Sequence, residues 1–346
     1  MDDNVPMYGV RDANVDLEAM RATLLFHELV SFAQLGDYGL FMPGAAAQTK
    51  RFLRWRPHEI INPVTFIQRR NYNKLIERWR PNKDPASLRS DCRVYLTRIL
   101  EQLKRANLSV GCFDVGGYLG LYSVFFGTLA RQRGLKTRIR CFEPGPTQDL
   151  IEANAEINEL AEMFELRRAA VSDVSGPILY EYDAGKTLSG GLNEKKSGSF
   201  ARLARSTILD DEIENGFSDF DCIIMKLDVE GFEANALRGL SKHRKKAAVI
   251  ICEIQPWART KRVGDRSFQE MLAEDYYLID IANAMWPSFY EPINGDDLDD
   301  YYGRVSARQN AMSDMILINK KFKLAEDLYK ALIAIDPFDR TGLAVA

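Results

Sequence analysis

Between residues 110 and 254, short apolar runs alternate with stretches of helical periodicity, and this alternation limits what the chain can fold into more than any other feature. The runs are VGCFDV (110–115), TRIRCFE (137–143), FELRRAAV (164–171), FDCIIMKLDV (220–229) and AAVIICEI (247–254). Strands separated by helices pair side by side as βαβ units, which predicts a parallel sheet. Several runs are apolar on both faces, as strands covered by helices on both sides should be. LYSVFFGTLARQRG and TQDLIEANAEINELA supply the first two crossover helices. Residues 177–209 break the pattern: YEYD and GGLNEKKSGS predict a hairpin inserted after the third strand. Two later strands, YYLIDIA (276–282) and MSDMILINK (312–320), flank an acidic, aromatic loop holding Asp296, Asp297, Asp299 and Asp300. KLAEDLYKALIAI reads as a last helix, stopped by Pro337.

With 346 residues, 46% of them apolar and 27% charged, the chain has room for one large core and an accessory segment. A formal net charge of −3 supplies no global field for nucleic acid or an anionic membrane, so neither is expected as a partner. No apolar run is long enough to span a bilayer, and the acidic first twenty residues do not resemble a secretory signal, so a cytoplasmic protein is expected. Cys112, Cys141, Cys222 and Cys252 fall inside the strand runs as small core residues, and no C-x-x-C spacing points to zinc. Residues 15–35 carry helical periodicity. From Lys50 to Arg93 there are twelve Lys/Arg against four Asp/Glu, which fits either a solvated helical face or a surface receiving an anionic substrate or partner. The expected division is a mainly helical N-terminal region, 1–107, that shapes the substrate pocket or a homo-oligomer contact, followed by a catalytic domain, 108–346.

The segment Phe113-Asp114-Val115-Gly116-Gly117-Tyr118-Leu119-Gly120 is a strand ending in a glycine turn that opens a helix. Glycine there permits a sharp bend and close approach to a ligand. A dinucleotide fingerprint needs G-x-G-x-x-G, but Tyr118 stands where its second glycine belongs, and the pattern is D-x-G-x-x-x-G. Asp114 also puts an anion where a pyrophosphate would need bare amides. At the tip of the second strand, Glu143, followed by Pro144, is placed to accept both hydroxyls of a ribose. Ser172 and Asp173 lie beyond the third strand, where either could accept from the exocyclic amine of an adenine.

The fourth strand closes on Lys226-Leu227-Asp228-Val229-Glu230, where alternation puts Lys226, Asp228 and Glu230 on one face if the strand runs that far. Charges at the end of an apolar strand are costly as packing and call for a function or a partner. Glu253 ends the fifth strand. Asp114, Glu143, Asp228 and Glu253 are therefore expected to converge outside the carboxyl edge of the sheet. The three histidines, His27, His58 and His243, fall outside this set.

At these residues the chain resembles the FkbM family of methyltransferases, within the Rossmann-like class I fold of S-adenosylmethionine (SAM) enzymes. FDVGGYLGLYS, CFEP, AAVSDVSG, TILDDEI and MKLDVEGFEANALRGL with IICEIQP carry the resemblance, over roughly residues 108–257. It implies a seven-stranded, mostly parallel sheet with a terminal antiparallel pair, and methylation of a hydroxyl on a sugar, glycan or natural product. Carried over by position, it implies that Asp114, Gly116 and Gly120 hold the methionine end of the cofactor, Glu143 the ribose and Ser172 the adenine region, with Asp228 beside the sulfonium; Gly117, Tyr118 and Pro144, their chain neighbours, are further cofactor-binding candidates. Gly117 and Tyr118 replace the Ala and Asn usual in that turn.

Methyl transfer to a hydroxyl needs a base, for which Asp228, Glu230 and Glu253 are the candidates; no metal is called for by the spacing. The product would be S-adenosylhomocysteine (SAH). Two rival readings are an NAD(P)-dependent reductase of sugar nucleotides, disfavoured by Tyr118, and a non-catalytic module that binds SAM or a glycan.

Overall fold

The structure, a computed structural model, describes residues 38–41, 66–69, 92–118, 120–145, 147–182, 190–191, 200–281, 291–307 and 313–335. The helix expected over 15–35 and most of the basic segment lie outside these residues. The apolar runs become one sheet, with β1 Val110–Val115, β2 Thr137–Phe142, β3 Phe164–Arg167, β4 Cys222–Leu227, β5 Ala247–Ile254, β6 Tyr276–Asp280, β7 Glu291–Ile293 and β8 Ser313–Asn319. Their order across the sheet is β7-β6-β8-β5-β4-β1-β2-β3. β1 to β5 run parallel, β8 lies antiparallel between β5 and β6, and β7 is antiparallel to β6. The late antiparallel pair is therefore present. The sheet has eight strands where seven were expected, because the segment after β6 returns along the sheet edge before continuing.

From β1 the chain winds outward to β2 and β3, then crosses back to β4 on the other side. That reversal opens a crevice at the carboxyl ends of β1 and β4, the usual place for a ligand in a sheet of this kind. The helices that complete the layers are α1 Cys92–Arg105, α2 Leu121–Gln132, α3 Gln148–Ile157, α4 Leu209–Glu214, α5 Glu233–Arg238, α6 Phe268–Asp275, α7 Leu298–Ser306 and α8 Ala325–Ile333. α6 starts on a capping box, in which the Ser267 hydroxyl accepts from the Glu270 backbone and the Glu270 side chain accepts from the Ser267 backbone.

Alternation along the strands divides the interior into two cores. Val110, Cys112, Ile224 and Ile251 face one side, against Tyr95, Ile99 and Leu103 of α1, Val124 and Phe125 of α2, and Leu328 and Leu332 of α8. Phe113, Val115, Met225 and Cys252 face the other, against Ile213, Leu237, Met271 and Tyr301. The helix α1, which precedes the expected boundary at 107/108, thus shares a core with the domain that follows. Before α1, Tyr38–Phe41 pairs antiparallel with Phe66–Arg69.

Two runs are cut short. FELRRAAV breaks after Arg167, and Ala170–Val171 joins a separate four-stranded sheet with 176–182, 190–191 and 200–207, which contains the predicted hairpin. The acidic segment expected as a loop forms β7 and α7, where Leu298, Tyr301, Tyr302 and Val305 supply a buried stripe. Among the described residues, no helix is long and apolar enough to cross a membrane.

Phe217, fully buried, stacks edge-on against Phe113 with ring centroids 4.8 Å apart and carries the Arg140 guanidinium 4.7 Å from its centroid. Phe217→Ala should lower the unfolding free energy by about 3–5 kcal/mol, read from the urea midpoint.

Candidate functional site

The turn after β1 uses left-handed backbone at Gly116 (φ 82°), Tyr118 (φ 51°) and Gly120 (φ 74°). The Gly116 and Gly117 amides both donate to the Phe142 carbonyl, which ties the turn to the tip of β2. A Cβ on Gly116 would stand 1.7 Å from the Asp228 carbonyl oxygen, and one on Gly117 would stand 2.1 Å from Cys141 Sγ. The sequence reading assigned these glycines to ligand approach. The collisions they avoid are with the protein itself, because the turn is wedged between the tips of β2 and β4. Asp114, 1% exposed, accepts from the Ser123 amide (2.9 Å) and hydroxyl (2.7 Å), so its carboxylate fastens the first turn of α2 to β1.

Glu143 sits where the second strand ends and leans back over the turn. Its Oε2 accepts from the Tyr118 amide at 2.8 Å and its Oε1 from the Gly145 amide at 2.6 Å, while Pro144 beside it is buried. Ser172 belongs to another cluster: its hydroxyl donates to Asp173, which Arg238 (2.8 Å) and Asn235 (3.3 Å) hold from α5.

On the other side of the crevice, strand register assembles a row of charge. Lys226 lies opposite Asp114 across β1 and β4, and Glu253 lies opposite Asp314 across β5 and β8. The Lys226 ammonium, 5% exposed, is 3.2 Å from Asp228 Oδ2 and 3.2 Å from Asp314 Oδ1, with the Tyr122 ring centroid 5.1 Å away. Gln255 Nε2 donates to Glu253 Oε2 at 2.7 Å. Glu230 does not continue the strand: β4 ends at Leu227, and Glu230 (φ 54°) and Gly231 (φ 100°) form a turn. That turn is gripped from both sides. The buried Glu233 carboxylate accepts from the Val229 and Gly231 amides at 3.1 and 3.0 Å, and Lys261 Nζ donates to the Gly231 carbonyl at 2.7 Å.

The electrostatics follow from this crowding. Burial tends to strip the proton from Lys226, but Asp228, Asp314 and Glu253 outweigh it and hold the ammonium firmly protonated. Burial, with Asp228 alongside, pushes the Glu253 carboxyl well above the usual carboxylate range against the pull of Lys226. Burial likewise lifts Asp114 to about 6, against the two Ser123 hydrogen bonds.

Asp228 and Glu253 therefore meet in one row, and Asp114 and Glu143 brace the glycine turn beside it. Asp314, Tyr122, Glu233 and Lys261 escaped the sequence reading. Asp314 reaches the row only through antiparallel register with β5; its one sequence signal is a charge at the head of an apolar strand. Glu233 reads as an ordinary helix-starting acid until the turn it grips is seen.

A parallel sheet reversed at β1 and β4, with a glycine turn and an acidic edge at the crevice, defines a Rossmann-like fold. Residues 114–277 match the family model described as the methyltransferase FkbM domain. Comparison with curated protein sequences gives no match. Similar solved structures include the O-methyltransferase TomG from Streptomyces achromogenes, involved in tomaymycin synthesis, in complex with SAM: 11% identity, 72% of this chain and 96% of that chain covered, TM-score 0.33. Another is the SAH-bound methyltransferase PaMTH1 of Podospora anserina: 11% identity, 71% and 88% covered, TM-score 0.30.

Gly116→Ala should cost roughly 3 kcal/mol or more, since it combines a positive φ with a backbone collision. Gly303→Ala, in α7 with nothing within 4 Å of the new methyl, should be neutral or stabilising, both variants being read from the urea midpoint. Asp114 has a folded pKa above its unfolded value, so the folded state holds the proton more tightly between roughly pH 4 and about 6. Its contribution is whole below that window and is lost as pH rises through it. Asp114→Asn should flatten that part of the stability profile in urea titrations at stepped pH.

Proposed function

We propose that the domain transfers methyl groups to a hydroxyl oxygen of a small acceptor, a sugar, glycan or natural product, with Glu253 as the base. The observation that supports this most directly is the half-buried Glu253 carboxyl, raised in basicity and set beside Asp228 at the carboxyl edge. A carboxylate whose pKa is moved toward working pH is a more effective proton acceptor for a hydroxyl than one in water.

The residues present fit SAM. An edge lined by Asp228, Glu253 and Asp314 around a single ammonium is a donor set with negative charge to spare, which suits a sulfonium better than a pyrophosphate. Glu143, accepting amides over the glycine turn, would exchange those partners for ribose hydroxyls, with Pro144 packed beside it. Gly116, Gly117, Tyr118 and Gly120 would line the methionine end, and Ser172 the adenine end. When bound, SAM supplies an electrophilic methyl on a sulfonium. Asp228, held by Lys226, orients the acceptor hydroxyl; Glu253 receives its proton; Glu230 is a further carboxylate within electrostatic reach of Glu253, after Asp228 and Asp314. The remaining work is orientation, which a fixed row of strand-end side chains supplies. The catalytic unit in this reading runs from α1 to α8, with the N-terminal residues before it shaping the acceptor pocket.

SAH at 100 times its dissociation constant should stabilise the protein by about 2.7 kcal/mol in thermal melts, and NADP should not. On a panel of hydroxylated acceptors, Glu253→Gln should cut SAM turnover by about 100-fold while SAH stabilisation stays at the wild-type level. Full turnover in Glu253→Gln, Asp228→Asn and Glu230→Gln alike would refute carboxylate base catalysis.

A further inference from the structure

Among the described residues the exposed large apolar side chains are Val174, Leu179, Leu203, Trp257 and Ile333, and Trp257, 55% exposed, is the aromatic one. It lies just past the carboxyl end of β5, two residues after Gln255, whose amide is bound to Glu253. Its indole is fixed in place. The ring edge packs on Gly231, where an added Cβ would stand 2.2 Å from Cη2. Lys261 Nζ is 4.5 Å from the indole centroid and 5.1 Å from the Phe232 centroid, and the same ammonium is anchored on the Gly231 carbonyl at 2.7 Å. Pro256 opens the 3-10 turn that carries the indole, and the Ala258 amide closes it on the Gln255 carbonyl at 2.9 Å. A large ring left in water, yet immobilised by a glycine and a lysine beside the turn that carries Asp228 and Glu230, is a pre-organised surface for a ligand.

We propose that Trp257 is the platform on which the methyl acceptor lies, and that the acceptor presents an electron-rich aromatic ring, a phenol or catechol, in preference to a saturated sugar ring. The inference rests on the acceptor-hydroxyl reading above and narrows it. The discriminating element is Lys261. A cation over an indole face draws on the negative charge of the ring quadrupole. That weakens the attraction of the open face for the positive C–H edges of a pyranose and strengthens it for the π cloud of an electron-rich arene. A phenolic hydroxyl, with a pKa of about 10, also gives up its proton to a carboxylate more readily than an alcohol does.

The test is saturation-transfer NMR on the full chain loaded with SAH, with 4-methylcatechol and methyl β-D-glucopyranoside as probes. The catechol ring protons should receive saturation, the pyranoside less. The catechol signal should drop roughly five-fold in Trp257→Ala and largely return in Trp257→Phe. Lys261→Met should narrow the gap between the two probes, a change that loss of packing alone would not produce. SAH should stabilise every variant in thermal melts as it does the wild type. Equal transfer to 4-methylcatechol in wild type and Trp257→Ala, no transfer to it at all, or a stronger pyranoside signal would each overturn the proposal. Failure of SAH to stabilise the wild type would instead overturn the cofactor site on which it rests.

Discussion

The ammonium of Lys226 makes the rest of the crevice affordable. Asp114, Glu253 and Asp314 are brought together by strand register, with Asp228 just past the end of β4, and without a cation among them their mutual repulsion in a poorly hydrated place would drive the strand ends apart or force protons onto several of them. One buried lysine, reached by two carboxylates at equal distance, lets β4, β5 and β8 end together in charge while their interiors remain apolar. Removal of such a partner from a buried network leaves uncompensated charge, which is far more costly than the pair is stabilising.

The glycine turn and this charged row behave as one assembly. Gly116 abuts the backbone of Asp228, its amide is bound to β2, and Asp114 fastens β1 to α2, whose Tyr122 ring covers Lys226. The residues that would receive a cofactor are therefore in mechanical contact with the residue proposed to orient the acceptor, through backbone and not through flexible side chains. Glu143 closes the other end of the same turn.

Most of the sheet could be read from the sequence because buried parallel strands write themselves as continuous apolar runs; β1 and β5 were bounded to the residue. Failures came where tertiary context decides. FELRRAAV looks like one strand, yet its last residues pair with 206–207 in another sheet, a partner that pattern alone does not announce. The acidic loop became β7 and α7 because Leu298, Tyr301 and Tyr302 bury a stripe that its aspartates disguise. For the site, acids at strand tips were visible from topology, whereas Asp314, Tyr122 and Lys261 depend on register and on side chains crossing between elements. Alternation places Glu230 on the face of Asp228 only if β4 runs that far; the strand ends at Leu227, and Glu230 and Gly231 turn the chain with two successive positive φ values.

The short edge strand β7 has a bearing on how the molecule survives at high concentration. A sheet edge is a row of unfilled backbone donors and acceptors that invites another chain to add itself. β7 covers the edge of β6 with only three residues, and its middle one is Pro292, opposite Ile279. Proline has no amide hydrogen and fits there only with its nitrogen turned away from β6, so the outward rim is missing a donor at its centre. The strand that lengthens the sheet by one thus also ends it, giving a polymerising neighbour almost no template on that side.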